Sequence, residues 1–312
     1  MMHNQRLVNW VLFILLSLIW GSSFILMKWS RQGLNGIQIG ALRIFFAGLV
    51  FFPFAIAHIG KMQRRKIPLV LLSGLLGNLL PAFLFAIAID NKIDSALAGI
   101  LNSLTPLLTV ILGALFFKTG LQQQKLIGVT IGFAGLLLLT LAKGGISLQN
   151  GGYASLILLA TLMYAINVHL AARYLKDLNP LRMATVSLAG MAIPAAIVAL
   201  QQNAFAPLWQ SGIGRQSIGA VALLGIMGSA VATVLFYALI KRAGALFASL
   251  VTYGIPVVAL GWGVLDNEPV SGMQVACLAL ILTGVWVANR KKGEKVEKSE
   301  VRSPKSEERA AG

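Results

Sequence analysis

The sequence predicts an all-α polytopic membrane protein, ten transmembrane helices arranged as two inverted five-helix repeats. Three observations predict it. The chain of 312 residues is 57% hydrophobic and only 12% charged, with a mean hydropathy of +0.80, whereas a soluble domain carries roughly 25% charge. Long apolar runs succeed one another as far as Asn289, several of them near the 20 or so residues that one helical crossing requires. The second part of the chain also echoes the first. This composition excludes a soluble enzyme, a disordered chain and a coiled coil. The net charge of +16 does not point to nucleic acid, because Lys and Arg fall in short loops and a tail rather than on one folded face. The single cysteine, Cys277, excludes an internal disulfide framework and any Cys-based metal site.

The ten runs are 8–27, 36–58, 67–89, 95–117, 124–142, 152–172, 180–200, 217–240, 245–264 and 270–289. The first is too long for the apolar core of a signal peptide and lacks an evident cleavage site, so it is read as a span. The seventh carries Pro194 near its end and is the weakest of the ten. The longest connection, 201–216, leaves no room for a soluble catalytic or nucleotide-binding module. The residues after 289 mix Lys, Glu and Ser without apolar anchors, which reads as a disordered tail. Its start, Arg290, Lys291 and Lys292, suits the anionic inner leaflet.

Orientation follows from the cations. With the N-terminus inside, the cytoplasmic side receives Arg6, the cluster Lys61 to Lys66, Lys118, Lys125, Arg173, Lys176, Arg182, Lys241, Arg242 and the tail. The outer side receives only Lys28, Arg31, Lys92, Lys143 and Arg215. The positive-inside rule then places both termini in the cytoplasm, in keeping with an even number of spans.

The internal echo is carried by "SALAGILNSLTPLLTVILGALFF" (95–117), which aligns with "ALFASLVTYGIPVVALGWGVLDN" (245–267) at an offset of 150, Pro106 falling on Pro256. Leu84 and Phe85 pair with Leu235 and Phe236 at an offset of 151. At an offset of 144, Leu34-Asn35-Gly36 pairs with Leu178-Asn179-Pro180, and Trp20 with Tyr164. Five spans per half is an odd number, so the second half must cross in the opposite sense. Inverted repeats of this kind enclose a site near the midplane that opens to either side in turn. The halves are 8–142 and 152–289.

The opening "LSLIWGSSFILMKW" (16–29) and the two closing stretches from Ser95 and Gly244 resemble the drug/metabolite transporter superfamily, with two EamA domains over roughly residues 10–290. The resemblance implies a ten-helix transporter of the cytoplasmic membrane, often an exporter of amino acids or other small metabolites. It implies no cofactor, a small-molecule substrate and the lipid bilayer as partners, and it is compatible with a homodimer. One departure is visible. A Glu often follows the fourth and the ninth span of such proteins; here Glu268 follows the ninth, but Lys118 stands at the matching position after the fourth.

None of the ten acidic residues lies within a span, so the sequence holds no buried carboxylate relay. Arg43 is the only cation well inside one, roughly 10 Å from the start of its helix at 1.5 Å per residue. It reads either as an anchor for a carboxylate or anion or as a residue that snorkels outward. Asn78, Asn102 and Asn167 lie deep in the third, fourth and sixth spans, as substrate contacts or as helix–helix glue. Trp20, Tyr164, Tyr237, Tyr253 and Trp262 could line an aromatic pocket, with Trp262 better explained by the interfacial aromatic belt, as are Trp10, Trp209 and Trp286. Ser23, in the small-residue stretch Gly21-Ser22-Ser23, joins the candidates. The expected substrate-binding set is therefore Trp20, Ser23, Arg43, Asn78, Asn102, Tyr164, Asn167 and Tyr253, with kinks at Pro81, Pro106 and Pro256. His58 and His169, toward cytoplasmic helix ends, read as interfacial. Gly128 and Gly132 form a GxxxG spacing, whose default role is close packing.

Two other function classes compete. An intramembrane hydrolase would need a nucleophile–base pair that Ser22 or Ser23 and the interfacial histidines do not supply, and there is no HExxH. A receptor or scaffold without transport has no positive feature. A GxxxxGK[ST] nucleotide loop is missing, which argues against direct ATP drive.

Overall fold

The computed structural model describes residues 2–91, 93, 95–117, 123–142, 151–265 and 271–289. The described residues are helical with no strand. The helices are α1 (Met2–Ser30), α2 (Gly36–Gly60), α3 (Ile67–Gly74), α4 (Leu80–Asp90), α5 (Ser95–Asn102), α6 (Thr105–Phe116), α7 (Gln123–Ala142), α8 (Ala154–Tyr174), α9 (Pro180–Gln201), α10 (Pro207–Gln210), α11 (Gly212–Gly225), α12 (Ala232–Ser249), α13 (Val251–Leu265) and α14 (Gly272–Asn289). Eight stretches among them are long and apolar enough to cross a membrane, and Thr105–Phe116 and Val251–Trp262 are shorter apolar helices. The outer surface is greasy: Ile56 is 85% exposed and Phe116 72%, an arrangement suited to lipid and costly in water. The chain is a polytopic helical membrane protein.

Local chemistry sets the helix starts. Asn35 caps α2 by accepting from the Gln38 amide at 2.9 Å, while the Gln38 side chain accepts from the Asn35 amide, a reciprocal capping box. Asp90 adds a carboxylate there, accepting from the Gly36 amide at 2.5 Å, where the helix dipole favours negative charge. Asn179, the residue matched to Asn35, caps α9 without a reciprocal bond, its side chain accepting from the Leu181 amide at 2.9 Å, with Pro180 at the first position. The connection 201–216 is shorter than the sequence reading made it, because α10 lies within it and Ser211 caps an early start to α11.

Two helices carry a π-turn. Leu75–Leu79 joins α3 to α4 and Ile226–Val231 joins α11 to α12, at positions 151 residues apart. Two other segments break. Ser103 and Leu104 form a turn between α5 and α6, and Leu250 separates α12 from α13. Gly244, with φ +85, lets the chain bend inside α12 in the left-handed conformation glycine tolerates best. The three prolines expected at kinks sit in different settings. Pro106 sits in the first turn of α6, and the Asn102 carbonyl it cannot engage accepts from Thr105 Oγ1 at 2.6 Å. Pro81 is the second residue after the first π-turn, whereas Pro256 lies within an unbroken α13, the break falling at Leu250, six residues earlier.

Packing is paired. α7 runs against α14 and α2 against α9; α8 contacts α4, α5 and α6, while α1 contacts α11, α12 and α13. The α7–α14 seam is close because it is glycine-lined: a Cβ on Gly284 would lie 2.6 Å from the Gly128 carbonyl and the Gly132 Cα. The GxxxG spacing thus serves packing.

At the end of the bundle where α2 finishes, basic side chains donate to backbone carbonyls at and just beyond helix ends. Arg182 donates to Lys61 O at 3.0 Å, Arg173 to Phe117 O at 2.6 Å and Lys241 to Leu178 O at 3.0 Å. Lys66 bridges to Asp177 at 3.1 Å, and this ammonium holds the Asp177 carboxyl below the usual carboxylate range. His169 departs from the interfacial expectation: it is 5% exposed, its Nε2 lies 2.7 Å from the Thr109 carbonyl, and its ring stacks on Phe117 at 4.4 Å.

Candidate functional site

A cavity of about 470 Å³ lies where the π-turns meet the broken helices, lined from α1, α4, α5, α6, α8, α12, α13 and Arg43 of α2. Its size falls within the roughly 300–1,000 Å³ of small-molecule sites. Of the residues expected from sequence, Trp20, Ser23, Arg43, Asn78, Asn102, Tyr164 and Asn167 line it. Tyr237 does too.

The π-turn at 226–231 organises one wall. Such a widened turn leaves a carbonyl reachable from outside the helix. The Gly228 carbonyl accepts from Trp20 Nε1 at 3.0 Å and from Arg43 Nη2 at 3.4 Å, and Arg43 Nε donates to Ser229 Oγ at 2.8 Å. Trp20 is also edge-on to Phe236, 5.2 Å between centroids. Gly228 has to be small: a Cβ there would stand 2.9 Å from Ser23 Oγ. Ser23 itself donates back to the Ile19 carbonyl at 2.8 Å.

The opposite wall repeats the plan with different atoms. Gly77 in the first π-turn lies against the Asn167 amide as Gly228 lies against Ser23. Asn167 accepts from Ser73 Oγ at 2.5 Å, and Ser73 stands 3.0 Å from the Tyr237 hydroxyl. Asn78 accepts from Thr233 Oγ1 at 3.1 Å. Asn167 and Asn78 thus tie helices together while facing the cavity. Asn102 differs: its Oδ1 is buried with no hydrogen-bond partner among the described residues.

Tyr253 lies elsewhere. It is fully buried against Gly132, and its hydroxyl donates to the Val129 carbonyl at 2.9 Å, so it braces α13 against α7. Trp262 donates to Ser22 Oγ at 2.9 Å near the rim, outside the cavity lining. Lining residues missed from sequence include Gly77, Phe85, Thr105, Gly228, Thr233 and Thr252. The offsets could have found them. Ala98, Gly99, Asn102 and Thr105 line one side, and Ala248, Ser249, Thr252 and Ile255, each 150 residues later, line the other. Gly77, Ala82 and Phe85 recur 151 residues on as Gly228, Thr233 and Phe236. Among the described residues no group of His, Cys, Asp or Glu assembles for a metal ion.

The EamA-like transporter family matches residues 8–141 and again 152–290. The chain belongs to this family. EamA relatives cover nearly its whole length. A protein of Archaeoglobus fulgidus named as a transporter is 27% identical over 91% of this chain and 99% of its own. The inner membrane transporter YedA of Escherichia coli K12 is 26% identical over 86% and 87%. A probable amino-acid metabolite efflux pump of Salmonella typhimurium is 28% identical over 88% and 93%. A solved crystal structure shares the EamA chain's fold with a TM-score of 0.69 at 20% identity, covering 92% of this chain and 96% of the other. The protein is an EamA membrane transporter. Glu268 and Lys118, the departure noted above, lie outside the described residues.

Proposed function

We propose that this EamA protein is a secondary transporter, exporting a small organic metabolite such as an amino acid across the cytoplasmic membrane by alternating access. The observation that carries the reading is the cavity wall itself: its residues come in pairs at offsets of 144, 150 and 151, one member from each part of the chain. A site built between two matched halves can be uncovered from either side by rocking one half against the other. The halves span 8–142 and 152–289, each with five crossings, for ten in all. The fourth and ninth crossings are then the discontinuous ones, α5–α6 and the segment from Ala245 through α13, and broken helices at midplane depth suit a substrate site. The paired contacts of α2 with α9 and α7 with α14 support a common scaffold on which α1 and α8 move.

With both termini in the cytoplasm, the cavity reaches toward the outer end, where Met27, Arg31 and Ile89 lie, and the carbonyl-capping cations close the inner end. The name of the Salmonella relative supports export of an amino-acid metabolite, and that of YedA supports the inner membrane. Purified protein in proteoliposomes is expected to move substrate without ATP; flux that strictly requires ATP hydrolysis overturns the reading.

A further inference from the structure

We infer that Ser73, Asn167 and Tyr237 form a gate latch that holds the cavity shut at the end of the bundle where α2 finishes, and that the absence of a matching latch at the other end makes the cavity rest open there. The inference rests on reading the two halves as an alternating-access pair, and it names the residues that set the resting state of that pair. Three observations carry it.

The first is the latch itself. Its members come from three elements, Ser73 from α3, Asn167 from α8 and Tyr237 from α12, and all three are buried. Asn167 and Tyr237 line the cavity, whereas no residue of α3 and none of α8 after Val168 does, so Ser73 lies beneath its floor. A serine hydroxyl has one proton, and Ser73 gives it to Asn167 Oδ1 at 2.5 Å. In the 3.0 Å contact between Ser73 Oγ and the Tyr237 hydroxyl, the phenol is therefore the donor. One directed chain, Tyr237 to Ser73 to Asn167, thus ties three helices under the cavity, and the links of such a chain strengthen one another. Beyond it α8 and α12 run on to the carbonyl contacts of Arg173 and Lys241.

Second, the matched positions at the other end hold no such chain. At an offset of 151, Ser73 falls on Leu224 and Ala86 on Tyr237; at 144, Ser23 falls on Asn167. Leu224 and Ala86 carry no polar side-chain atom, and the Ser23 hydroxyl donates within its own helix, to the Ile19 carbonyl. Third, the packing is asymmetric in the same sense. α8 packs along α12, whereas their counterparts α1 and α4 are not packed together among the described residues. Met27 of α1 and Ile89 of α4 instead line the cavity, so its mouth lies between those two helices. Matched halves that rock open one end as they shut the other, and the balance between the two states follows the difference in their contacts. The end with the polar chain is the one that stays shut without ligand. With both termini in the cytoplasm, the cavity then rests facing outward.

The test follows maleimide labelling of the ligand-free full chain in detergent, in a Cys277→Ala background. Met27→Cys reports on the mouth, and Ala171→Cys, at a buried position one turn beyond Asn167, reports on the latched end. The first should label fast and the second slowly. Tyr237→Phe removes the donor at the head of the chain, and Ser73→Ala removes both links. Each is expected to raise the labelling rate of Ala171→Cys by about three- to tenfold, the worth of one or two such bonds between membrane helices. The double variant should label no faster than Ser73→Ala alone, because that serine carries both links. Tyr253→Phe loses a buried hydroxyl away from the latch and is the control, with the melting of every variant reporting on its fold. Unchanged labelling in both latch variants, an equal rise in Tyr253→Phe, additive rises in the double variant, or a parent that labels faster at Ala171→Cys than at Met27→Cys overturns the inference. Flux of radiolabelled amino acids is measured separately in proteoliposomes. Labelling that shifts as expected with no flux supports the latch and sinks the transporter reading. Flux with labelling unmoved does the reverse.

Discussion

Tyr253→Phe separates the bracing residue from the cavity with the least perturbation, a single hydroxyl. In the fold, that hydroxyl donates to the Val129 carbonyl at 2.9 Å, and the ring is fully buried against Gly132. A neutral hydrogen bond of this kind contributes about 0.5–1.5 kcal/mol net. Val129 lies inside α7, where its carbonyl keeps a helical donor, so no acceptor is left wholly unmade and the cost should sit near 1 kcal/mol. For a chain of this size that is a drop in melting temperature of about 2–4 °C. The assay is thermal unfolding of purified protein by intrinsic fluorescence, beside ligand titration of the same sample. The expected outcome is lower stability with ligand affinity unchanged. Weaker ligand binding at unchanged melting temperature would place the hydroxyl in the site and refute the reasoning.

Three further outcomes are expected. Gly284→Ala would put a Cβ 2.6 Å from the Gly128 carbonyl, a backbone atom that cannot yield, and should cost about 1–3 kcal/mol by overpacking; Gly261→Ala, with nothing within 4 Å of its Cβ, is the control, and equal melting of the two would refute the seam. Asp177→Asn should cost under about 1 kcal/mol, since the pair is exposed. Because Lys66 holds the Asp177 carboxyl below its ordinary value, that small contribution is present above the carboxylate range and is lost only as pH falls through the lowered value, so the difference in melting should be constant from pH 7 to 5; a difference already halved at pH 6 would contradict this. Finally, Cys277 is buried and should resist maleimide in the folded protein; in a Cys277→Ala background, single cysteines at both ends of the chain should label from the same side of the membrane, and opposite-side labelling would sink the ten-span topology.

Much of the scaffold was legible in the residues. Asn35 and Asn179, paired by offset, both became N-caps, and Trp20 with Tyr164, paired likewise, face one cavity. The rest was not, for a reason peculiar to membranes. Lipid tails are as apolar as a protein core, so hydrophobic periodicity says little about which face of a helix turns inward. Tyr253 and Tyr164 look alike in sequence, yet one braces α13 and the other lines the site. His169 sits near a helix end and is nonetheless buried under Phe117. The π-turn at 226–231 is followed by Ala232, where its counterpart is followed closely by Pro81, so no proline announces it.

Composition and order alone determined that this chain lives in a bilayer, that its charge, Arg43 apart, lies outside the middle of the apolar runs and that its two parts are versions of one plan. These are consequences of transfer energies and of counting, and neither depends on how helices meet. Only the tertiary structure decided where the plan converges. The Gly228 carbonyl, freed by a widened turn, holds Trp20 and Arg43 from another part of the chain, and that contact aims the guanidinium. Its direction is set by the rotation and spacing of helices, which close packing at glycines fixes and which the order of residues leaves open.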